Sequence, residues 1–247
     1  EDAALYFIDM ILKDSPENGF LPDFAAFQQL TAACGIFNSL SQLLLKITSP
    51  GIPDIYQGNE LWDFSLVDPD NRRPVDFSMR MAMLEQLERR VAEQGLTTTA
   101  QELTEQRQDG QIKLYLTWKA LTFRRDQREL FEQGRYLPLE VAGSRREHVC
   151  AFERSTNHRA VLVVVPRFCS RLIEHPDGLP LGPEVWQDTC ILQPFDTSCS
   201  AYRNLLTGEL LRLEPQDGRL GLALHKILSV FPVALLEKID TPEEATC

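Results

Sequence analysis

Apolar residues recur at helical spacing through the first 130 residues of the chain. Residues 2–13 follow this spacing, and so does a longer stretch that begins near residue 22 and continues to residue 47. The longer stretch becomes apolar on every side towards its end, which predicts a buried helix. Residues 78–94 and 113–130 also predict helices, while the polar stretch 95–112 predicts a loop or a boundary region.

A short apolar segment follows the long helix. Ser49-Pro50-Gly51 ends the helix, and residues 52–56 predict a short buried strand that leads into a polar turn at 57–60. A helix, a tight turn, a strand and a polar loop in this order are typical of a barrel or an open parallel sheet. Because chemistry in such folds lies at the C-terminal ends of strands, the loop 57–77 is the candidate site.

The pattern changes from about residue 136 onward. Short β-branched or alternating runs predict strands at 149–152, 160–165, 201–205, 209–213 and 230–236, and residues 206–209 and 216–219 predict hairpin turns. This half of the chain is predicted to be an antiparallel all-β module. The sequence as a whole therefore predicts an α+β fold.

Composition narrows the class of protein. The 247 residues include 25 Lys and Arg against 36 Asp and Glu, a formal charge of −11, and 43% are hydrophobic, which is typical of a globular rather than a disordered chain. The negative charge argues against a nucleic-acid partner. The longest uniform apolar run, at 161–165, is far shorter than the roughly 20 residues of a membrane span, so no membrane partner is predicted.

The N-terminal residues, the cysteines and the histidines lead to predictions about location and metal binding. Glu1-Asp2 is an acidic start without a leader pattern or an initiator Met, so we expect no secretory signal and a chain that begins inside a longer protein. Six cysteines and four histidines are dispersed, which predicts reduced thiols, a cytoplasmic location, and neither a metal site nor a cofactor. The dispersed residues are Cys34, Cys150, Cys169, Cys190, Cys199, Cys247, His148, His158, His175 and His225.

The loop 57–77 combines carboxylates, amides, guanidinium groups and a Trp. Planar polar groups bind paired sugar hydroxyls, and an aromatic ring covers the apolar face of a pyranose. The alternative is a self-paired loop, in which aspartates 68, 70 and 76 neutralise Arg72 and Arg73. A calcium loop is not predicted, because Arg72 stands where a ligand is needed.

The same residues resemble a known family. The string PGIPDIYQGNELWDFSLVDPDNRRPVDF, residues 50–77, closely resembles the end of the catalytic barrel in the malto-oligosyltrehalose synthase family, within the α-amylase glycoside hydrolases. Its first part looks like the eighth barrel strand of the α-amylase family, and the specific part is Asp-Pro-Asp-Asn-Arg-Arg-Pro-Val-Asp at 68–76. Residues 113–139 are similar to the passage of these enzymes into their C-terminal β domain.

The resemblance implies a fold and a division into domains. Residues 1–95 would form the last helix-strand-helix part of a TIM (β/α)8 barrel, 96–135 a connecting loop and helix, and 136–247 a C-terminal antiparallel β sandwich. The implied activity converts the reducing-end α-1,4 linkage of a malto-oligosaccharide into an α,α-1,1 linkage. The implied partners are the malto-oligosaccharide or α-glucan substrate and the remaining N-terminal part of the enzyme.

The catalytic carboxylates of the family lie on earlier barrel strands, so no catalytic residue is assigned and the isolated chain is predicted to be inactive. Asp126, in Phe-Arg-Arg-Asp, is not interpreted as a nucleophile because it lies in a helical pattern. A barrel end without its neighbours is expected to self-associate or to be disordered around residues 48–80. Two alternatives stay open: a non-catalytic α-glucan-binding or scaffolding module, and part of a trehalose-releasing hydrolase.

Ten residues of the loop are candidates for substrate binding by resemblance. Each has the alternative role of supporting the loop; Glu60 and Arg73 could pair with each other, and Trp62 could stack on sugar or fill the core. Trp118 and Trp186 are predicted core residues. The ten candidates are Tyr56, Gln57, Glu60, Trp62, Asp68, Asp70, Asn71, Arg72, Arg73 and Asp76.

Overall fold

The computed structural model describes residues 1–157, 159–192, 201–216 and 218–239. Five α-helices precede the strands, and two short ones lie among the described strands, so the predicted α+β class is confirmed. The helices are α1 (Asp2–Leu12), α2 (Phe20–Thr48), α3 (Phe77–Glu105), α4 (Gln111–Asp126), α5 (Arg128–Glu132), α6 (Gly182–Trp186) and α7 (Leu224–Ile227). The strands are β1 (Arg135–Pro138), β2 (Glu140–Ala142), β3 (Val149–Ser155), β4 (Ala160–Pro166), β5 (Cys190–Leu192), β6 (Ala201–Asn204), β7 (Leu210–Arg212), β8 (Glu214–Gln216), β9 (Arg219–Ala223) and β10 (Ala234–Ile239).

The long apolar helix α2 is buried where its sequence is apolar on every side. Phe37, Leu40, Leu44 and Ile47 are fully buried, and the helix packs against α4 and β4. Its N-terminal half instead leaves Phe27 exposed. By length and composition alone α2 could cross a membrane, but its C-terminal half belongs to the protein core.

The polar stretch 95–112 is helical over much of its length, which contradicts the predicted loop. Helix α3 turns at Gly95, whose φ of 83° breaks the helix, and then continues to residue 105. Thr99 and Thr104 are buried, and each hydroxyl donates to the carbonyl four residues earlier at 2.8 Å. Burial of this second segment against the helical core overrides the low helix propensity of its threonines.

The predicted strand at 52–56 is wrong. The segment has no regular secondary structure, no strand in the described part of the chain pairs with it, and Ile52 is 96% exposed. A β-strand is defined by hydrogen bonds to a neighbouring strand, which a local pattern does not contain.

Two antiparallel sheets form the second half. One has the order β1-β3-β4-β10-β6-β7 and the other the order β2-β5-β9-β8. Strand β4 is buried throughout because it has a hydrophobic core on each face. Val161, Val163 and Val165 pack into the core with α2 and α4, whereas Leu162 and Val164 pack into the core with the smaller sheet.

The strands predicted in the second half are confirmed in position, except that in the predicted strand 230–236 β10 begins only at Ala234. Five strands with a weak sequence pattern were not predicted: β1, β2, β5, β8 and β9. The prediction of an all-β second half is wrong in that this half also contains the short helices α6 and α7. Both predicted hairpins are present, joining β6 to β7 and β8 to β9. Asp217 of the second turn lies outside the described residues, as do His158, Cys199 and Cys247. Trp186 is fully buried and Trp118 packs against the helical core, as predicted.

Candidate functional site

The candidate site is the segment between the end of α2 and the start of α3. Two arginines hold its beginning. Arg124 on α4 donates to the carbonyls of Ile47 at 2.5 Å and Gly51 at 2.6 Å, and Arg154 on β3 donates to the carbonyl of Thr48 at 3.0 Å. The last carbonyls of a helix have no partner within the helix, and cations favour that end. The point where the segment leaves α2 is therefore fixed from two other elements.

A third arginine forms hydrogen bonds with both ends of the loop. Arg80, in the first turns of α3, donates to the Glu60 carboxylate at 3.1 Å, to the Gly58 carbonyl at 3.1 Å and to the Asp76 carbonyl at 3.2 Å. The alternative in which Glu60 and Arg73 pair with each other is therefore not observed, since Glu60 pairs with Arg80 and Arg73 with Asp70. The Arg80 guanidinium is rigid and carries several donors, so it can hold three acceptors at once.

A buried lysine supports the middle of the loop. Lys113 on α4 donates to the carbonyl of Leu61 at 3.1 Å, and its Nζ lies 5.5 Å from the centre of the Trp62 ring. Burial lowers the pKa of Lys113, and the charge of Lys46 lowers it further. Trp62 donates through Nε1 to the Arg107 carbonyl at 2.9 Å, so one edge of its half-buried ring is fixed to the scaffold.

The acidic and basic side chains of the loop partly pair with one another. Arg72 contacts Asp68 at 2.7 Å, and Arg73 contacts Asp70. Asp70 also accepts from the Leu66 amide at 2.8 Å, and this bond, assisted by Arg73, lowers the pKa of Asp70. These pairs agree with the self-paired alternative, but exposed ion pairs contribute little stability.

Asp76 has a different role in the local structure. It is the N-cap of α3, and its carboxylate accepts from the Met79 amide at 2.8 Å. A carboxylate at this position satisfies a free amide and is favoured by the helix dipole.

Residues of the loop line a cavity of about 420 Å³ that is open to solvent. Six of the ten predicted residues line it, and Tyr56, Glu60, Asp68 and Arg72 do not. Its lining residues are Gln57, Gly58, Trp62, Asp63, Phe64, Ser65, Asp70, Asn71, Arg73, Pro74, Val75, Asp76 and Arg80.

Two polar groups in this cavity bear on its chemistry. The Asn71 Oδ1 atom is buried and has no hydrogen-bond partner in the described residues. Asp63 accepts from the Ser65 amide at 2.9 Å, and this bond lowers its pKa, so the carboxylate stays ionised. Amides, carboxylates and a guanidinium around one cavity suit a polyhydroxylated ligand. Among the described residues, no group of three or more His, Cys, Asp or Glu lies close enough to hold a metal ion.

Comparison with known proteins identifies homologues of the chain. No family model matches it. It is 35% identical, over 191 residues, to a Mycobacterium tuberculosis protein that carries the name of a maltooligosyl trehalose synthase; the match covers 76% of this chain and 21% of that protein. The chain is a homologue of the maltooligosyltrehalose synthases.

Solved structures agree with this assignment. The maltooligosyltrehalose synthase of Arthrobacter ramosus matches with a TM-score of 0.66 and 29% identity, over 94% of this chain and 26% of that one. A second maltooligosyl trehalose synthase structure matches with a TM-score of 0.59 and 27% identity, over 91% of this chain and 25% of that one. The chain thus spans about a fifth to a quarter of the length of the maltooligosyltrehalose synthases it matches.

Three residues of this maltooligosyltrehalose synthase homologue were missed by sequence reasoning. Asp63 lies inside the loop and could have been found from its carboxylate alone. Arg80 lies four residues after Asp76, one helical turn into α3, which is a weak signal. Lys113 reaches Leu61 across 52 positions of sequence, and no local pattern encodes that contact.

Proposed function

We propose that the chain is the C-terminal portion of an enzyme that converts the reducing-end α-1,4 linkage of malto-oligosaccharides into an α,α-1,1 linkage, a step of trehalose biosynthesis. The observation that carries the proposal is the loop cavity, in which Gln57, Asn71 and Arg73 present planar polar groups beside Asp63 and Asp76. The homology to maltooligosyltrehalose synthases supports it.

In this proposal the chain contributes groups that bind the sugar, and the rest of the enzyme contributes the catalytic carboxylates. The family chemistry uses a carboxylate nucleophile and a second carboxyl group as acid and base, and both would come from outside this chain. The residues around the cavity hold the released glucose so that its anomeric hydroxyl, rather than water, attacks the glycosyl-enzyme. Tyr56, Glu60, Asp68 and Arg72, which do not line the cavity here, would frame it. The isolated chain is accordingly inactive.

The proposed domain division follows the homology. Residues 1–95 are the end of a (β/α)8 barrel in which 52–56 pairs with strands of the rest of the enzyme. Residues 96–135 connect it to a C-terminal antiparallel β domain at 136–247. The position of 52–56 between two long helices, with no strand partner among the described residues, supports this assignment.

The partner of the chain is the remaining part of the same enzyme. A set of exposed apolar side chains supports this, because α1, the first half of α2 and the loop each expose large hydrophobic residues. Surfaces of this kind are typical of contacts with other protein. Its most exposed members include Leu5, Tyr6, Phe7, Phe27, Phe64, Leu66 and Val67, of which Phe64 is 91% exposed. Without that partner the chain would self-associate.

A cytoplasmic location belongs to the same proposal. Cys34, Cys150 and Cys169 are free thiols, which suits a reducing compartment.

The test compares this chain with the longer polypeptide that contains it, each incubated with maltohexaose. We expect the longer polypeptide to remove reducing ends without releasing glucose, and the isolated chain to do neither. Release of glucose in step with the loss of substrate would identify a hydrolase instead. No reaction by the longer polypeptide would refute the proposed function.

A matched pair of variants tests the cavity. Arg73 and Arg128 both form exposed ion pairs, with side chains 76% and 77% exposed, but only Arg73 lines the cavity. Arg73→Gln in the longer polypeptide should increase the share of glucose among the products, whereas Arg128→Gln should leave it unchanged. An equal product ratio in both variants would show that the cavity does not hold the glucose.

A further inference from the structure

A second cavity lies in the β half of the chain, between β2 and β3. It has a volume of about 410 Å³ and is lined by Gly143, Ser144, Arg146, Glu147 and His148. None of these residues belongs to the loop 57–77, so the two cavities are separate sites. We call this one the 143–148 cavity.

Two residues with unusual backbone conformations adjoin the 143–148 cavity. Phe168 and Gln187, with φ of 55° and 49°, are the non-glycine residues that have positive φ among those described. The Gln187 side chain accepts from the Ser144 hydroxyl at 2.8 Å, and the Phe168 ring lies 6.4 Å from the His148 ring. Left-handed backbone is costly for side chains of this size, and such residues cluster at functional sites.

The Phe168 ring contacts a fixed guanidinium group and is not buried. Its side chain is 54% exposed, and the Arg167 guanidinium lies 4.6 Å from the centre of its ring. Arg167 is itself fixed, because its amide donates to the His148 carbonyl and its Nε to the Glu147 carbonyl, both at 2.8 Å. An exposed aromatic ring thus lies against Arg167, which two of the lining residues hold through their carbonyls.

We propose that the 143–148 cavity and the Phe168 ring bind a glucose unit of an α-glucan chain. The free part of the ring would cover the apolar face of the sugar, as aromatic side chains do for amphipathic ligands. Arg146 and Glu147 form no ion pair within the described residues, so their planar groups remain available for paired hydroxyls. The choice of an α-linked glucan rests on the proposed function, whereas the site rests on the geometry.

The experiment measures binding of maltoheptaose to the 247-residue chain by titration calorimetry. Phe168→Gly removes the ring at a position whose φ suits glycine, so this variant is expected to fold. It should weaken the calorimetric dissociation constant at this site about tenfold, while Phe168→Tyr should keep it. The control is Tyr136→Ala, which removes another exposed aromatic ring from β1.

The outcomes separate this inference from the proposed function. If Phe168→Gly binds as tightly as the unchanged chain, or loses no more affinity than Tyr136→Ala, the inference is wrong. It is also wrong if cellohexaose or inorganic phosphate binds at this cavity in place of maltoheptaose. Because Phe168 lies outside the loop, loss of binding in Phe168→Gly supports the second site even if the longer polypeptide proves inactive on maltohexaose.

Discussion

Arg154 provides the sharpest test of what holds the helices and sheets together. Its side chain is 1% exposed and donates to the carbonyls of Thr48 at 3.0 Å, Phe131 at 2.8 Å and Gly134 at 3.1 Å. Two longer bonds of 3.3 Å reach Leu130 and Arg135. One guanidinium thus connects the end of α2, the end of α5 and the first strand.

The magnitude follows from these contacts. Three short hydrogen bonds to a charged donor contribute about 1.5 kcal/mol each at the lower end of their range, or about 4–5 kcal/mol together. Burial opposes this, since it lowers the pKa of Arg154, and Arg124 lowers it further. Arg154→Met recovers part of the desolvation cost, so we expect a net loss of about 3 kcal/mol in the free energy of unfolding.

The assay is urea denaturation of the chain, followed by circular dichroism. Arg128→Met is the control, because Arg128 forms an exposed ion pair with Glu132 at 2.7 Å and should change the free energy by less than about 0.5 kcal/mol. Arg154→Lys keeps the charge but loses the planar fork of donors, and should lie between the two. A loss below about 1 kcal/mol in Arg154→Met would refute the assignment.

Three further outcomes are expected. Asp76→Ala removes the cap that accepts from the Met79 amide and should lower the free energy of unfolding by about 1 kcal/mol in the same assay, whereas Asp76→Asn should restore most of it. The pKa of Asp70 is lower in the folded than in the unfolded chain, so its carboxylate stabilises the fold at pH values above its unfolded-state pKa of about 3.9. This stability is lost as the pH falls through the folded-state pKa. The stability of Asp70→Asn should therefore depend less on pH below about pH 4 in a pH titration of unfolding. Burial raises the pKa of Cys169 to about 12, so iodoacetamide at pH 8 should label it only after unfolding; rapid labelling of the folded chain, detected by mass spectrometry, would contradict its burial.

Local pattern predicted the elements that are stabilised by a continuous apolar sequence. The buried half of α2 and strand β4 are examples, because each is surrounded by core and must be apolar on every side. The local pattern did not predict the second part of α3, because only four of its residues are buried and the surrounding sequence is polar. It also failed for residues 52–56, since strand pairing depends on partners outside the segment.

The chemistry of the site was predictable from the loop itself, but its support was not. The carboxylates, amides and arginines of 57–76 are contiguous in sequence, so their composition indicated a polar site before any contact was known. Arg80, Lys113 and Arg124 reach the loop from helices that pack only in the folded chain. Long-range contacts of single side chains with backbone carbonyls leave no periodic signal in a sequence.

The way these cations bind leaves two carboxylates of the loop, Asp63 and Asp76, outside any ion pair among the described residues, whereas Glu60, Asp68 and Asp70 are paired. The hydrogen bonds of Arg124 and Lys113 all go to backbone carbonyls, and two of the three hydrogen bonds of Arg80 also go to backbone carbonyls. Had they paired with side chains instead, the carboxylates of Asp63 and Asp76 would be neutralised and turned away from the cavity. Because these cations donate mainly to the backbone, they fix the path of the loop. Asp63 and Asp76 each accept from one backbone amide and keep further acceptor capacity, as the proposed binding of sugar hydroxyls requires.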